Sequence, residues 1–304
     1  MRRIRGNNTK NKRINLDKVP EKGTFGKNIL SLSNNNKSPR LEDWINTLQS
    51  RGKLSFSLTQ LREDLPEYSD VAIKRALHRM TKKGNIVSIS KGYYLIIPPQ
   101  YASRGILPPL MFIDGLMKYL ERQYYVGLLS AAALHGAAHQ QPQEFYVVIT
   151  PPFLQPTEKK GLKINYITKT DIPEQFLVTK KTNTGYVKVS SPELTAFDLL
   201  YHQKRVGGLN RVGTILHELK EEFKIENINR DFVHLGSVSA LQRLGYLLEK
   251  DMEGKEYADK LYRECKKADL TFHRIPLNDK SEAKGFTSDN RWNLITNFEL
   301  EIDE

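Results

Sequence analysis

The stretch from Leu41 to Ile97 constrains the fold most, because three helical apolar repeats and a hairpin follow one another within it. Leu41, Trp44, Ile45 and Leu48 fall on helical spacing behind Ser38-Pro39, an N-cap with proline at the first helical position, and Arg51-Gly52 ends the run. Lys53 to Phe56 lead into Ser57-Leu58-Thr59-Gln60, a capping-box pattern. Leu58, Leu61 and Leu65 form a second stripe, closed by Pro66. Pro66 to Ser69 make a turn, and Ser69 can cap a third helix from Asp70 to Lys83 that stops at Gly84. Ile86 to Ile89 reads as a strand, Ser90-Lys91-Gly92 as a turn, and Tyr93 to Ile97 as the returning strand. Helix, helix, turn, helix and hairpin is the order of a winged helix-turn-helix.

The third helix has two unlike faces. Ile73, Ala76, Leu77 and Met80 form the apolar one, while Lys74, Arg75, His78, Arg79 and Lys82 occupy the other. Arg and Lys can donate to guanine O6 and N7 or to phosphates, and base edges are met mostly from a helix's N-terminal half. Lys74, Arg75 and His78 are therefore assigned to base edges or nearby phosphates, and Arg79 and Lys82 to the backbone. Lys91, at the hairpin turn, is placed to reach a flanking phosphate or minor groove. The competing account is a basic helix face that is only solvated, or a winged helix that binds protein.

Charge placement favours the nucleic-acid account. The net charge is +12; residues 1–40 hold 11 Lys/Arg against 2 Asp/Glu, and residues 41–100 hold 9 against 6. The remaining 204 residues hold 27 of each sign, so the basicity lies in the tail and the small domain behind it. Residues 1–38, rich in Asn, Lys and Gly, read as a disordered extension, either a source of phosphate contacts or a plain solvated tail. No apolar run approaches the roughly 18 residues of a membrane span, and the N-terminus lacks a secretory apolar region. One cysteine, Cys265, rules out an intrachain disulfide and multi-cysteine zinc. The expected setting is the cytoplasm.

Pro98-Pro99 and Pro108-Pro109 bracket a connector. The predicted domains are residues 39–98, a linker at 99–109, and a second domain at 110–304. In the latter, Leu110 to Arg122 and Val126 to Ala138 read as helices, Phe145 to Ile149 and Leu162 to Thr168 as strands. Asn183-Thr184-Gly185 joins a hairpin of Phe176–Thr179 and Tyr186–Val189. Ser190 and Glu193 have capping-box spacing at the start of a helix reaching Gln203. Helices are predicted over Leu209–Phe223, Arg230–Glu249 and Lys255–Ala268, with a returning strand in Asn293–Ile302.

The second domain offers little chemistry. There is no P-loop, GxGxxG, HExxH or GxSxG. His135 and His139 have metal-ligand spacing, but no Cys or carboxylate stands nearby, and Pro142 ends the helix. Glu282-Ala283-Lys284 and Glu253-Gly254-Lys255 match half a nuclease motif but sit in polar, loop-like sequence. Gly236-Ser237 matches the opening of a nucleotidyltransferase site, yet the acidic pair it needs is missing. Cys265 lacks a partner base. No catalytic residue, metal or cofactor is assigned, and the domain reads as a binding module.

Three segments carry a family resemblance: Tyr125 to Gly136 (YVGLLSAAALHG), Ser190 to Leu200 (SSPELTAFDLL) and Arg291 to Ile295 (RWNLI). Over residues 41–304 the chain resembles the AbiEi antitoxins of type IV toxin–antitoxin and abortive-infection systems, a form of phage defence. The resemblance implies a protein that represses its own operon at inverted repeats in the promoter. It also implies neutralisation of a nucleotidyltransferase-like toxin, generally without a stable complex. Paired protomers would then bind a palindromic operator cooperatively. The long basic tail departs from the family pattern, and Ser130, His135 and Asp198 are the second-domain residues to follow.

The fold expected is α+β, an N-terminal winged helix-turn-helix followed by a larger mixed α/β antitoxin domain. The function expected is a non-enzymatic, DNA-binding antitoxin and autorepressor. The alternatives are a regulator that senses a small molecule through its second domain, and a nuclease or nucleotidyltransferase delivered to DNA.

Overall fold

Side-chain caps and apolar spacing fix the first elements. A computed structural model describes residues 40–137 and 143–301. The expectations for the tail, Ser38-Pro39, His139, Pro142 and Ile302 lie outside those residues. Helix α1 (Leu41–Ser50) buries Leu41, Trp44, Ile45 and Leu48. Strand β1 (Ser55–Ser57) leads into α2 (Leu58–Asp64), where the Ser57 side chain accepts from the Gln60 amide. Ser69 caps α3 (Asp70–Lys82) in the same way, accepting from the Ala72 amide at 3.2 Å. Strands β2 (Ile86–Ser90) and β3 (Tyr93–Ile96) form the hairpin, and β1 adds antiparallel to β3.

This small sheet is apolar on both faces. Phe56, Ile86 and Ile96 pack under the three helices with Trp44, Leu61 and Ile73. Val87, Ile89, Tyr93 and Leu95 turn the other way and join a core that belongs to the rest of the chain. The period-2 alternation of a strand makes both contacts possible at once.

After the prolines, α4 (Ile113–Tyr119) begins later than the sequence predicts, behind a single 3₁₀ turn at Pro109–Met111. The segment expected as one helix from Val126 splits into β4 (Tyr124–Val126) and a short α5 (Leu128–Leu134). Gly127 allows this break, since a Cβ there would meet Tyr125 and Val148 at 3.1 Å. Next come β5 (Glu144–Ile149), β6 (Thr157–Lys159), β7 (Leu162–Thr168), β8 (Leu177–Thr182) and β9 (Gly185–Ser190). They form one mixed sheet in the order β6-β7-β5-β4-β9-β8, with β5/β7 and β4/β9 parallel.

The sheet divides two cores. Tyr124, Val126, Val147, Ile149, Ile164 and Tyr166 face α4 and the β2–β3 hairpin. Tyr125, Tyr146, Val148 and Ile167 face the helices that follow. Those are α6 (Pro192–Tyr201), α7 (Leu209–Leu219), α8 (Arg230–Val233), α9 (Val238–Lys250) and α10 (Lys255–Lys267). The helix expected over Arg230–Glu249 is broken at Gly236, whose φ of +142° no helix accommodates. The cap of α6 is Ser191, accepting from the Leu194 amide. Glu193 does not close a capping box; it is buried and accepts from the Lys224 amide at 2.6 Å and from Asn227 Nδ2 at 3.1 Å. A small closing sheet, β10 (Ile275–Pro276), β11 (Ser288–Asp289) and β12 (Leu294–Ile295), replaces the longer C-terminal strand expected. Trp292 beside it is fully buried, with its indole N–H donating to Glu249 at 2.9 Å.

Candidate nucleic-acid interface and central cleft

Helix α3 carries the first candidate site. Ile73, Ala76, Leu77 and Met80 are buried, so the opposite face is fixed outward. Lys74, Arg75, His78, Arg79 and Lys82 are all exposed there, as the sequence spacing places them. Two residues missed by sequence reasoning extend this face. Val71, in the first turn, is 57% exposed and stands three and four residues ahead of Lys74 and Arg75. Arg62 of α2 pairs with Asp70 through Nε at 2.9 Å, offsetting the acid at the head of α3. Periodicity could have placed Val71 on this face, but a valine gives no ligand signal; the Arg62 pair is a tertiary contact.

Lys91 is exposed at the hairpin turn, and that turn is held against Tyr119. The Lys91 carbonyl accepts from the Tyr119 hydroxyl at 2.9 Å, and a Cβ added at Gly92 would meet that hydroxyl at 2.6 Å. Ser55 Oγ accepts from the Tyr93 hydroxyl at 2.7 Å beneath it.

The second candidate is a cleft of about 970 Å³ at the carboxyl ends of parallel β5 and β7, where open α/β sheets bind ligands. The last turns of α6 supply one wall, because Phe197, Asp198, Tyr201 and His202 share a face at helical spacing. Asp198 is buried on the floor; its Oδ2 accepts from the Tyr125 hydroxyl at 2.7 Å, and its Oδ1 stands 3.8 Å from Lys169 Nζ. Burial pushes the Asp198 carboxyl up, opposed by Lys169 and then by the Tyr125 hydrogen bond. Burial, with Arg205 and Lys169 nearby, lowers His202 to about 4, so its imidazole is neutral near pH 7. Gly236 and the capping Ser237 of α9 form the far wall.

The other residues followed from the sequence hold the fold. Ser130 Oγ accepts from the Tyr146 amide at 2.9 Å. His135 donates through Nε2 to the Ser190 carbonyl at 2.7 Å, and burial lowers its pKa. Glu282 lies exposed in a loop, and Glu253 in a turn before α10. Cys265 is buried, which pushes its thiol up to about 12 and keeps it protonated. Among the described residues no three His, Cys, Asp or Glu side chains converge as metal ligands, and no helix is long and apolar enough to cross a membrane.

Residues 125–250 match the family model of the AbiEi antitoxin C-terminal domain, a span that includes the cleft walls of β7, α6 and α9. Residues 125–250 form a domain of the AbiEi antitoxin C-terminal type. The AbiEi domain thus starts at the second residue of β4 and ends with α9. No curated protein matches the sequence. Among solved structures, the RV2827C protein from Mycobacterium tuberculosis is 16% identical with a TM-score of 0.63, over 83% of this chain and 89% of that one. At that identity the likeness is one of fold. An antigenic nucleotidyltransferase-like protein from Paracoccidioides brasiliensis is 12% identical, over 50% of this chain and 90% of that one. Its TM-score is 0.35.

Proposed function

We propose that residues 39–98 are a winged helix-turn-helix that binds double-stranded DNA, and that the protein is an antitoxin repressing its own operon. The observation that carries this reading is α3, with one face buried against α1 and α2 and five exposed Lys, Arg and His side chains on the other. Such a helix can enter the major groove, with Lys74, Arg75 and His78 towards base edges and Arg79 and Lys82 on phosphates. Lys91 serves a flanking phosphate. The tail of residues 1–38 adds sequence-independent attraction.

In this reading the second domain, residues 110–304 behind the linker at 99–109, neutralises a nucleotidyltransferase-like toxin in the cytoplasm. Neutralisation proceeds without a stable complex, and without catalysis by the antitoxin. Inverted repeats in the promoter recruit two protomers cooperatively.

The test is an anisotropy titration on the protein's own upstream DNA, beside scrambled DNA, at two salt concentrations. Selective, salt-sensitive binding is expected; equal affinity for both sequences would overturn the operator-reading role. Co-expression with the neighbouring toxin gene should restore growth, and continued arrest would remove the antitoxin role.

A further inference from the structure

The central cleft, of about 970 Å³, has no α3 residue in its lining, and its chemistry separates ligand classes. Its lining holds one lysine and no arginine against Asp171, Asp198 and Asp231. His202 adds no positive charge near pH 7. The lining is therefore more acidic than basic, which favours a neutral ligand over a phosphate group.

The cleft also offers a stacking surface. Tyr201 is 57% exposed, and its ring lies on that of Phe197 at 6.1 Å with an interplanar angle of 16°. The outer face of this pair is an aromatic platform, the surface on which unstacked bases are held. His202 packs edge-on to Tyr201 at 4.6 Å and braces that ring. At the floor, the Oδ1 of Asp198 stands beyond hydrogen-bond reach of Lys169, so it can accept a donor from a ligand edge. A flat ring with edge N–H groups meets both features together. Exposed Asp171 and Asp231 at the rim are suited to accept from sugar hydroxyls.

We propose that this cleft binds a nucleobase, stacked on Tyr201 and donating from its edge to Asp198, presented either as a free nucleoside or as the end of a single strand. The site is separate from the α3 face, so it stands whether or not α3 reads an operator.

The experiment uses the full chain in calorimetric titrations with adenosine, guanosine, cytidine and uridine, with their 5′-monophosphates, and with a short single-stranded RNA. Saturable binding of at least one nucleoside or of the RNA is expected, with the monophosphate no tighter than its nucleoside. Binding of nucleosides assigns the free ligand as the source; binding of RNA alone assigns the strand end. Tyr201→Ala, at an exposed ring, should weaken the interaction roughly tenfold or more and leave operator affinity unchanged. Asp198→Asn should change which base binds best. No saturation by any probe at millimolar concentration overturns the proposal, as do unchanged binding in Tyr201→Ala and a monophosphate preferred over its nucleoside.

Discussion

The Tyr119 hydroxyl donates to the Lys91 carbonyl at 2.9 Å, and so the end of α4 holds the tip of the β2–β3 hairpin. Val87, Ile89, Tyr93 and Leu95 extend the same attachment inward, onto a face of the six-stranded sheet. The orientation of α3 is thereby linked to the AbiEi domain by packing as well as by the chain.

Gly92→Ala tests that attachment. Gly92 has φ +76° and its Cβ would strike the Tyr119 hydroxyl at 2.6 Å. A loss of more than about 1 kcal/mol is expected in urea unfolding, with faster amide exchange across Ser90–Tyr93. A variant as stable as wild type would show that the tip is not held.

For DNA reading, Lys74→Ala and Arg75→Ala should each cost about 1–3 kcal/mol of operator affinity per lost base contact. Both side chains are exposed, so thermal unfolding should not change. Equal losses on scrambled DNA would reassign them to phosphates.

Val71 supplies an apolar group to a face that is otherwise basic, suited to a thymine methyl. Replacing thymine by deoxyuridine along the operator should weaken wild-type binding at one position per half-site. In Val71→Ala the same replacement should have no effect there. Identical profiles for the two proteins would exclude the contact.

Removing residues 1–38 should lower affinity for all sequences and flatten the salt dependence, because fewer counterions are released on binding. Unchanged slope and affinity would leave the tail no part in DNA binding.

His202 sets a pH dependence of stability. Its pKa of about 4 in the folded protein lies below the ordinary 6.5, by burial first and then Arg205 and Lys169. The native state therefore binds fewer protons than the unfolded chain. The stabilisation is full above pH 6.5 and is lost as the pH falls towards 4. The gap corresponds to at most about 3 kcal/mol. Asp198, raised by burial, acts in the opposite sense, so the informative comparison is wild type against His202→Asn. The difference in urea midpoint between them should change across this range; parallel curves would refute the assignment.

Short-range signals carried much of the architecture. Ser57 and Ser69 cap where the spacing puts them, and β7 occupies Leu162–Thr168 as read from the sequence. The breaks were harder. Gly127 and Gly236 interrupt runs that look helical: at Gly127 an apolar run alone does not distinguish a buried strand from a buried helix, and at Gly236 a positive φ separates two helices whose spacing reads as one. Glu193 shows the same limit: its spacing fits a cap, while its partners are Lys224 and Asn227, more than thirty residues away.

The two faces of α3 follow from residue order alone, since a helix of period 3.6 assigns inward and outward positions without help from the rest of the chain. So does the uneven charge, which is additive along the chain. Long-range packing, by contrast, buries the hairpin on both faces and brings Lys169, Asp198, Tyr125 and Ser237 around one cleft. The reason is distance: those side chains come from four separate elements, and the sheet order and helix packing that bring them together are set by the whole core.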